Sequence, residues 1–239
     1  MKVIGLIGGM SWESTVPYYR IVNETVKQRL GGLHSARVVL YSVDFDEIER
    51  LQHSDQWTVA GERLAYVACA VERAGAECVV LCTNTMHKVA PQIEAAVRIP
   101  LLHIADATAA EIKSAKVSTV GLLGTRFTME QDFYRRRLTD RHGLTVIVPE
   151  PADRETVHRV IYEELCLGQV REDSRAHYRE IMQRLVEAGA EGIILGCTEI
   201  ALLVGPDEAP VSLFDTTGLH ARAVAAWALG DAEERPPPC

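Results

Sequence analysis

The chain carries nearly the same message twice. Residues 74–90 read AGAECVVLCTNTMHKVA, and residues 188–204 read AGAEGIILGCTEIALLV. Each begins Ala-Gly-Ala-Glu, runs through apolar or small residues and ends in a short polar cluster. Aligned without gaps, Thr83 falls on Cys197, Asn84 on Thr198 and Thr85 on Glu199, an offset of 197 − 83 = 114. A second pair opens each half: IGLIGG at 4–9 and VGLLGT at 120–125, offset by 125 − 9 = 116. Tyr18 meets Tyr134 at that same offset, 134 − 18 = 116. A single match arises readily by convergence, because buried parallel strands are all rich in Val, Ile and Leu and Ala-Gly is a common helix end. Two matches in the same order, each with polar residues after the strand, indicate a duplicated α/β unit.

The segments around the repeats fit that reading. KVIGLIG, ARVVLYSV, ECVVLC, STVGLLG, LTVIVP and EGIILGC have the composition of strands. VPYYRIVNETVKQRL, WTVAGERLAYVACAVERAG, HKVAPQIEAAV, DSRAHYREIMQRLVEAGA and the stretch from about Thr216 have helical spacing. Alternation of the two predicts an α/β fold with two pseudo-symmetric lobes, each a parallel-type sheet flanked by helices, and an active site in the cleft between them. The expected lobes are residues 1–100 with 210–232, and residues 101–209; the final helix crosses back to the first lobe, and 233–239 form a disordered tail.

Composition narrows the partners. At 239 residues and 47% hydrophobic the chain builds a sizeable core, and its net charge of −8 disfavours nucleic acid and anionic membranes. No apolar run approaches a bilayer-spanning length. MKVIGLIGGM lacks the long apolar stretch of a secretory leader and reads as a first strand. The six cysteines (69, 78, 82, 166, 197 and 239) have neither CxxC nor zinc spacing, which suggests thiols in a reducing cytoplasm.

Ligands of parallel α/β sheets bind beyond the carboxyl ends of the strands. Four polar clusters fall there: GGMSWEST, CTNTMH, GTRFT and GCTE. Small hydroxyl and amide residues beside helix starts suit a small anion such as an α-carboxylate. Paired proton-transfer groups on opposite faces of one ligand suit inversion at a carbon with an acidic hydrogen. A thiol serves such chemistry when its environment tunes it. Cys197 is the candidate; its plain alternative is a small buried hydrophobe. Cys82 should point into its own lobe if Thr83 faces the ligand, unless a bulge exchanges them.

GLIGGMSWEST, CTNTMHK, GLLGTRFT and LGCTE together resemble the cofactor-independent aspartate/glutamate racemase family, over nearly the whole chain. That resemblance implies opposed acid/base catalysts at positions 83 and 197, no pyridoxal phosphate, no metal, an amino-acid substrate and a homodimer. It matches Asn84, Thr85 and Thr198 to positions that hold the α-amino and α-carboxylate groups. It also matches Met10 to a first-loop contact, and Thr125 and Thr128 to a Gly-Thr-x-x-Thr pattern. Thr128 is equally the first turn of a helix. Glu199 either binds the ammonium group or supports its neighbours. Gln52 is either a cleft residue or an ordinary exposed loop residue. Arg126, His87 and Lys88 are alternatives for a distal carboxylate. The chain departs from the family pattern at Thr83, where a cysteine is usual. It resembles a branch of L-aspartate/glutamate-specific or broad-specificity amino-acid racemases with threonine there. An asymmetric enzyme follows, with Cys197 the effective partner and Thr83 the weak one.

Rival readings remain. A decarboxylase of malonate-type acids needs only one cysteine as proton donor, and a non-catalytic amino-acid-binding protein needs none. A Schiff-base enzyme has only Lys88 near a polar cluster, and GLIGGMS is not a dinucleotide fingerprint.

Overall fold

A computed structural model describes residues 1–230; the expected tail at 233–239 lies outside the described residues. The chain divides into two compact units. Among the described residues, one comprises 1–82, 89–102 and 220–230; the other comprises Thr83–Lys88 and His103–Leu219.

The first unit is built on β1 (Ile4–Gly8), with α1 (Trp12–Leu30), β2 (Val38–Ser42), α2 (Phe45–His53), α3 (Trp57–Arg73), β3 (Cys78–Leu81) and α4 (Ala90–Ala96). Its sheet has the order β2-β1-β3, all parallel, with Ile4 opposite both Val38 and Cys78. β1 is central and buried at every position, so an uninterrupted apolar run is what its place demands. Ser11 caps α1 by accepting the Ser14 amide, and Tyr18, Val22 and Val26 form its inward stripe at four-residue spacing. The Tyr18 hydroxyl lies 2.9 Å from His220 Nδ1, and His220 Nε2 donates to the Leu102 carbonyl (2.8 Å), so Nε2 carries a proton. The sequence places α2 in no helix; its acidic start, capped by Asp44, and its two buried residues, Ile48 and Gln52, make it one.

The second unit contains α5 (Ile104–Ser114), β4 (Thr119–Gly124), α6 (Arg126–Glu130), α7 (Asp132–Arg136), β5 (Thr145–Ile147), α8 (Pro151–Glu163), α9 (Glu172–Glu187), β6 (Gly192–Gly196), α10 (Ile200–Leu203), β7 (Ser212–Asp215) and the start of α11 (Thr216–Leu229). Its sheet order is β5-β4-β6-β7, again parallel throughout. Tyr178, Ile181, Met182 and Leu185 of α9 join Leu122, Leu123, Tyr134, Ile193 and Ile194 in one core. On its flank Arg137 grips Asp106 with two bonds of 2.7 Å, and His142 Nε2 lies 2.9 Å from the same carboxylate. Burial alone would raise the Asp106 pKa, but the Arg137 and His142 hydrogen bonds prevail and hold it at about 2. From His220 onward α11 belongs to the first unit, where Ala221, Val224, Ala225 and Ala228 pack with Ile4, Tyr18 and Val80.

The helix expected from His87 begins as a 3-10 turn over Thr85–Val89 and becomes α-helical only at Ala90. Pro91 sits at the helix start, where its missing N–H costs nothing.

Candidate active site

The carboxyl ends of β4, β6 and β7 lie side by side. Gly124 is opposite Gly196, and Leu195 is opposite Asp215. The glycine pair is a packing requirement. A Cβ on Gly196 would stand 2.7 Å from the Leu123 carbonyl oxygen, and one on Gly124 would stand 2.9 Å from that of Gly196. Immediately beyond come Thr125, then Cys197 and Thr198, then Thr216 and Thr217, all buried.

Cys197 donates its Sγ proton to Glu199 Oε2 at 2.9 Å, and Thr198 Oγ1 donates to the same oxygen at 2.7 Å. Glu199 is itself buried. Burial, and then the Glu199 charge, push the Cys197 thiol well above its ordinary pKa. The resting site is therefore a protonated thiol hydrogen-bonded to a carboxylate, with an internal acceptor ready to take the proton.

Thr85, Thr125 and Thr128 form a hydroxyl cluster. Thr85 Oγ1 is 3.0 Å from Thr125 Oγ1 and 3.4 Å from Thr128 Oγ1, and the last two are 3.2 Å apart. Thr125 also caps α6 by accepting the Thr128 amide at 3.3 Å, so the Gly-Thr-x-x-Thr pattern is both a helix start and part of a polar cluster. The Arg126 amide at this cap donates to His158 Nδ1 (3.2 Å).

Asn84 is held by a directed chain. Its Nδ2 donates to Thr216 Oγ1 (3.0 Å), which donates to the Leu195 carbonyl (2.8 Å). The hydroxyl has only one proton, so Thr216 must accept from Asn84, which fixes the amide orientation. Asn84 Oδ1 is left buried without a hydrogen bond.

Thr83 is 7% exposed. Its carbonyl accepts from His87 Nδ1 (2.8 Å), while His87 Nε2 accepts the Ile104 amide (3.3 Å). With both ring nitrogens so engaged, His87 orients the turn carrying Thr83 and is not available for a distal carboxylate. Arg126 remains half-exposed, 3.9 Å from Glu155.

Cys82 is fully buried among Ile4, Val22 and Val80, and burial drives its pKa far up. It is a core thiol. Cys78 is likewise pushed up to about 12 by burial. None of Cys69, Cys78, Cys82, Cys166 and Cys197 forms a disulfide. Among the described residues no cluster of His, Cys, Asp or Glu could hold a metal ion, and no helix is long and apolar enough to cross a membrane.

Met10 and Gln52 belong to the first unit, and both are 3% exposed, so Gln52 is a buried helix residue rather than an exposed loop residue. The Gly9 amide beside Met10 donates to Thr15 Oγ1 at 2.8 Å, so the first loop consumes that donor internally. Sequence reasoning missed Thr216 and Thr217. The signal was VSLF followed by Asp-Thr-Thr at 211–217, a strand end with a polar cluster like the others.

Known proteins resemble this chain in sequence and in fold. Residues 7–224 match the model of the Asp/Glu/Hydantoin racemase family. A crystal structure of a proposed Asp/Glu racemase of Yersinia pestis superposes with a TM-score of 0.90 at 59% identity, covering 96% of this chain and 100% of that one. An aspartate racemase homologue of Pyrococcus horikoshii gives 0.82 at 36% identity over the same shares, 96% and 100%. The broad specificity amino-acid racemase of Bacillus subtilis is 22% identical over 95% of this chain and 98% of its own length. The chain belongs to the Asp/Glu/Hydantoin racemase family and is an isomerase.

Proposed function

We propose that the protein inverts the α-carbon of aspartate or glutamate by proton transfer at two opposed groups, without a cofactor. The observation that carries this reading is the Cys197 thiol held on the Glu199 carboxylate at 2.9 Å, at a strand end rich in threonine hydroxyls. The α-carboxylate is received by the hydroxyls of Thr85, Thr125, Thr128 and Thr198, and the ammonium group by Asn84 Oδ1. Arrival of the cationic group favours charge separation at Cys197, and Glu199 takes the thiol proton. The thiolate then removes the α-hydrogen: the C–H bond breaks and an S–H bond forms. The carbanion takes a proton from the Thr83 hydroxyl on its other face; Thr83 recovers a proton from solvent as Glu199 releases the one it took, which restores the starting state. In the opposite direction Cys197 is the donor and Thr83 the base. The acting molecule in this reading is a homodimer in the cytoplasm.

Thr83 supplies a hydroxyl where the other copy supplies a thiol, which favours a second reading: Cys197 protonates a carbanion once, after loss of carbon dioxide from a malonate-type acid. Incubation in deuterium oxide with a panel of amino acids and malonates separates the two. A racemase places deuterium at the α-carbon of L-aspartate or L-glutamate and produces the opposite enantiomer. Carbon dioxide release from a malonate, with no α-exchange of any amino acid, would refute the racemase reading.

A further inference from the structure

We propose that Thr217, at the start of α11, is a substrate contact whose hydroxyl, with Asn84 Oδ1, receives the α-ammonium group. This rests on the racemase reading for the identity of the ligand. Three observations converge on it.

The first is register. Gly124 opposite Gly196 carries Thr125 opposite Cys197 one residue past the strand ends. Leu195 opposite Asp215 ends the ladder of β7 with the strand that leads into Cys197, and Thr216 and Thr217 follow at once as the first residues of α11. The Thr216 hydroxyl folds back onto the Leu195 carbonyl at 2.8 Å, so the start of α11 sits at the carboxyl end of β6.

The second is an accounting of hydrogen bonds. Thr217 is 3% exposed and Asn84 2% exposed. Thr217 Oγ1 and Asn84 Oδ1 are both buried without a hydrogen bond in the protein. Buried polar atoms are almost always paired, so these two orphans point to a ligand. The neighbouring Thr216 hydroxyl ties them together, since it accepts from the same Asn84 carboxamide (3.0 Å).

The third is polarity. Asn84 Oδ1 can only accept, so its ligand must bring a donor. The Asp215 carboxylate lies under the same turn, accepting the Thr217 amide at 3.0 Å and the Gly218 amide at 3.1 Å. An anionic group at this end favours a cation. The carboxylate of the ligand is left to the threonine cluster on the other side of Cys197.

Thr217→Val removes the hydroxyl and little else. Since that hydroxyl has no partner inside the protein, the thermal midpoint of the full-length protein should not fall. Binding of L-aspartate, measured by calorimetry, should weaken roughly ten- to hundred-fold, the range for a hydrogen bond to a charged group. Succinate keeps both carboxylates and lacks the ammonium, so its affinity should be the same for variant and wild type. Thr217→Ser should restore L-aspartate binding. An equal loss for both ligands, no loss for either, or a loss that serine does not rescue would overturn the assignment. If wild-type protein binds L-aspartate but exchanges no α-hydrogen, the racemase reading falls while Thr217 is still judged on binding. If it binds no amino acid, both fall.

Discussion

Residues 74–90 and 188–204 are alike where they build structure and different where they can do chemistry. Both leave a helix through Ala-Gly, with Gly75 at φ 97° and Gly189 at φ 101°, a backbone conformation that a side chain resists. The capping bonds correspond one for one: Gly75 to Glu72 and Ala76 to Val71, Gly189 to Val186 and Ala190 to Leu185. The glutamate that follows clamps the start of the central strand in each unit. Glu77 Oε2 accepts the Val3 amide (2.6 Å), and Glu191 Oε2 accepts those of Ser118 (2.8 Å) and Thr119 (3.0 Å). The shared Ala-Gly-Ala-Glu is therefore a helix stop and a strand clamp. Past the strand the copies part: Glu199 accepts protons from Cys197 and Thr198, whereas Thr85, its counterpart at the 114-residue offset, joins the Thr125 and Thr128 hydroxyls. The second copy has a thiol hydrogen-bonded to a carboxyl group; the first has a hydroxyl in the thiol's place.

Three substitutions press on that difference. Cys197→Ser should have the largest effect, lowering α-hydrogen exchange roughly a thousand-fold, because a hydroxyl then stands in both copies and neither is an effective base. An enzyme still fully active in the deuterium assay would show that the cysteine is not the distinguishing feature. Glu199→Gln comes next, with a loss of about a hundred-fold in the maximal rate as the internal proton acceptor disappears. It should also shift the pH profile. The Glu199 charge is one of the causes holding the Cys197 pKa up, after burial itself. Its removal lowers that pKa, so the ascending limb of kcat/KM should move to lower pH; a shift to higher pH would contradict the pairing. Thr83→Cys should be the mildest, leaving activity within roughly tenfold of wild type. Enantiomers have equal free energy in water, so kcat/KM is the same from either side and asymmetry can appear only in kcat and KM separately. The two kcat values should approach each other in this variant. If they stay as unequal as in wild type, the threonine is not the source of the asymmetry.

The fold was legible wherever periodicity was strong. The strands β1, β3, β4 and β6 and the helices α3 and α9 fall where apolar spacing puts them, because burial on a parallel sheet leaves little choice of residue. Elements with mixed faces were missed. β7 is only four residues with a single fully buried position, Phe214, too short for a pattern to emerge. α2 hides Gln52 among acidic residues that suggest a surface loop. Of the candidate site, the residues that follow β3, β4 and β6 were named from their clusters; Thr216 and Thr217 went unnamed along with their strand.

By itself the sequence determined that the chain is a doubled α/β protein with polar strand ends, since hydrophobic period and glycine placement are local properties written residue by residue. It also exposed the odd position, Thr83, by simple alignment of the copies. Tertiary structure alone decided which side chains meet. Glu199 accepts a hydrogen bond from Cys197 instead of standing free, and His87 spends both nitrogens on backbone. Asn84 is turned by Thr216 from 132 residues away so that its carbonyl is left over. Hydrogen bonds depend on distance and direction between atoms far apart in the chain, and a string of letters holds neither.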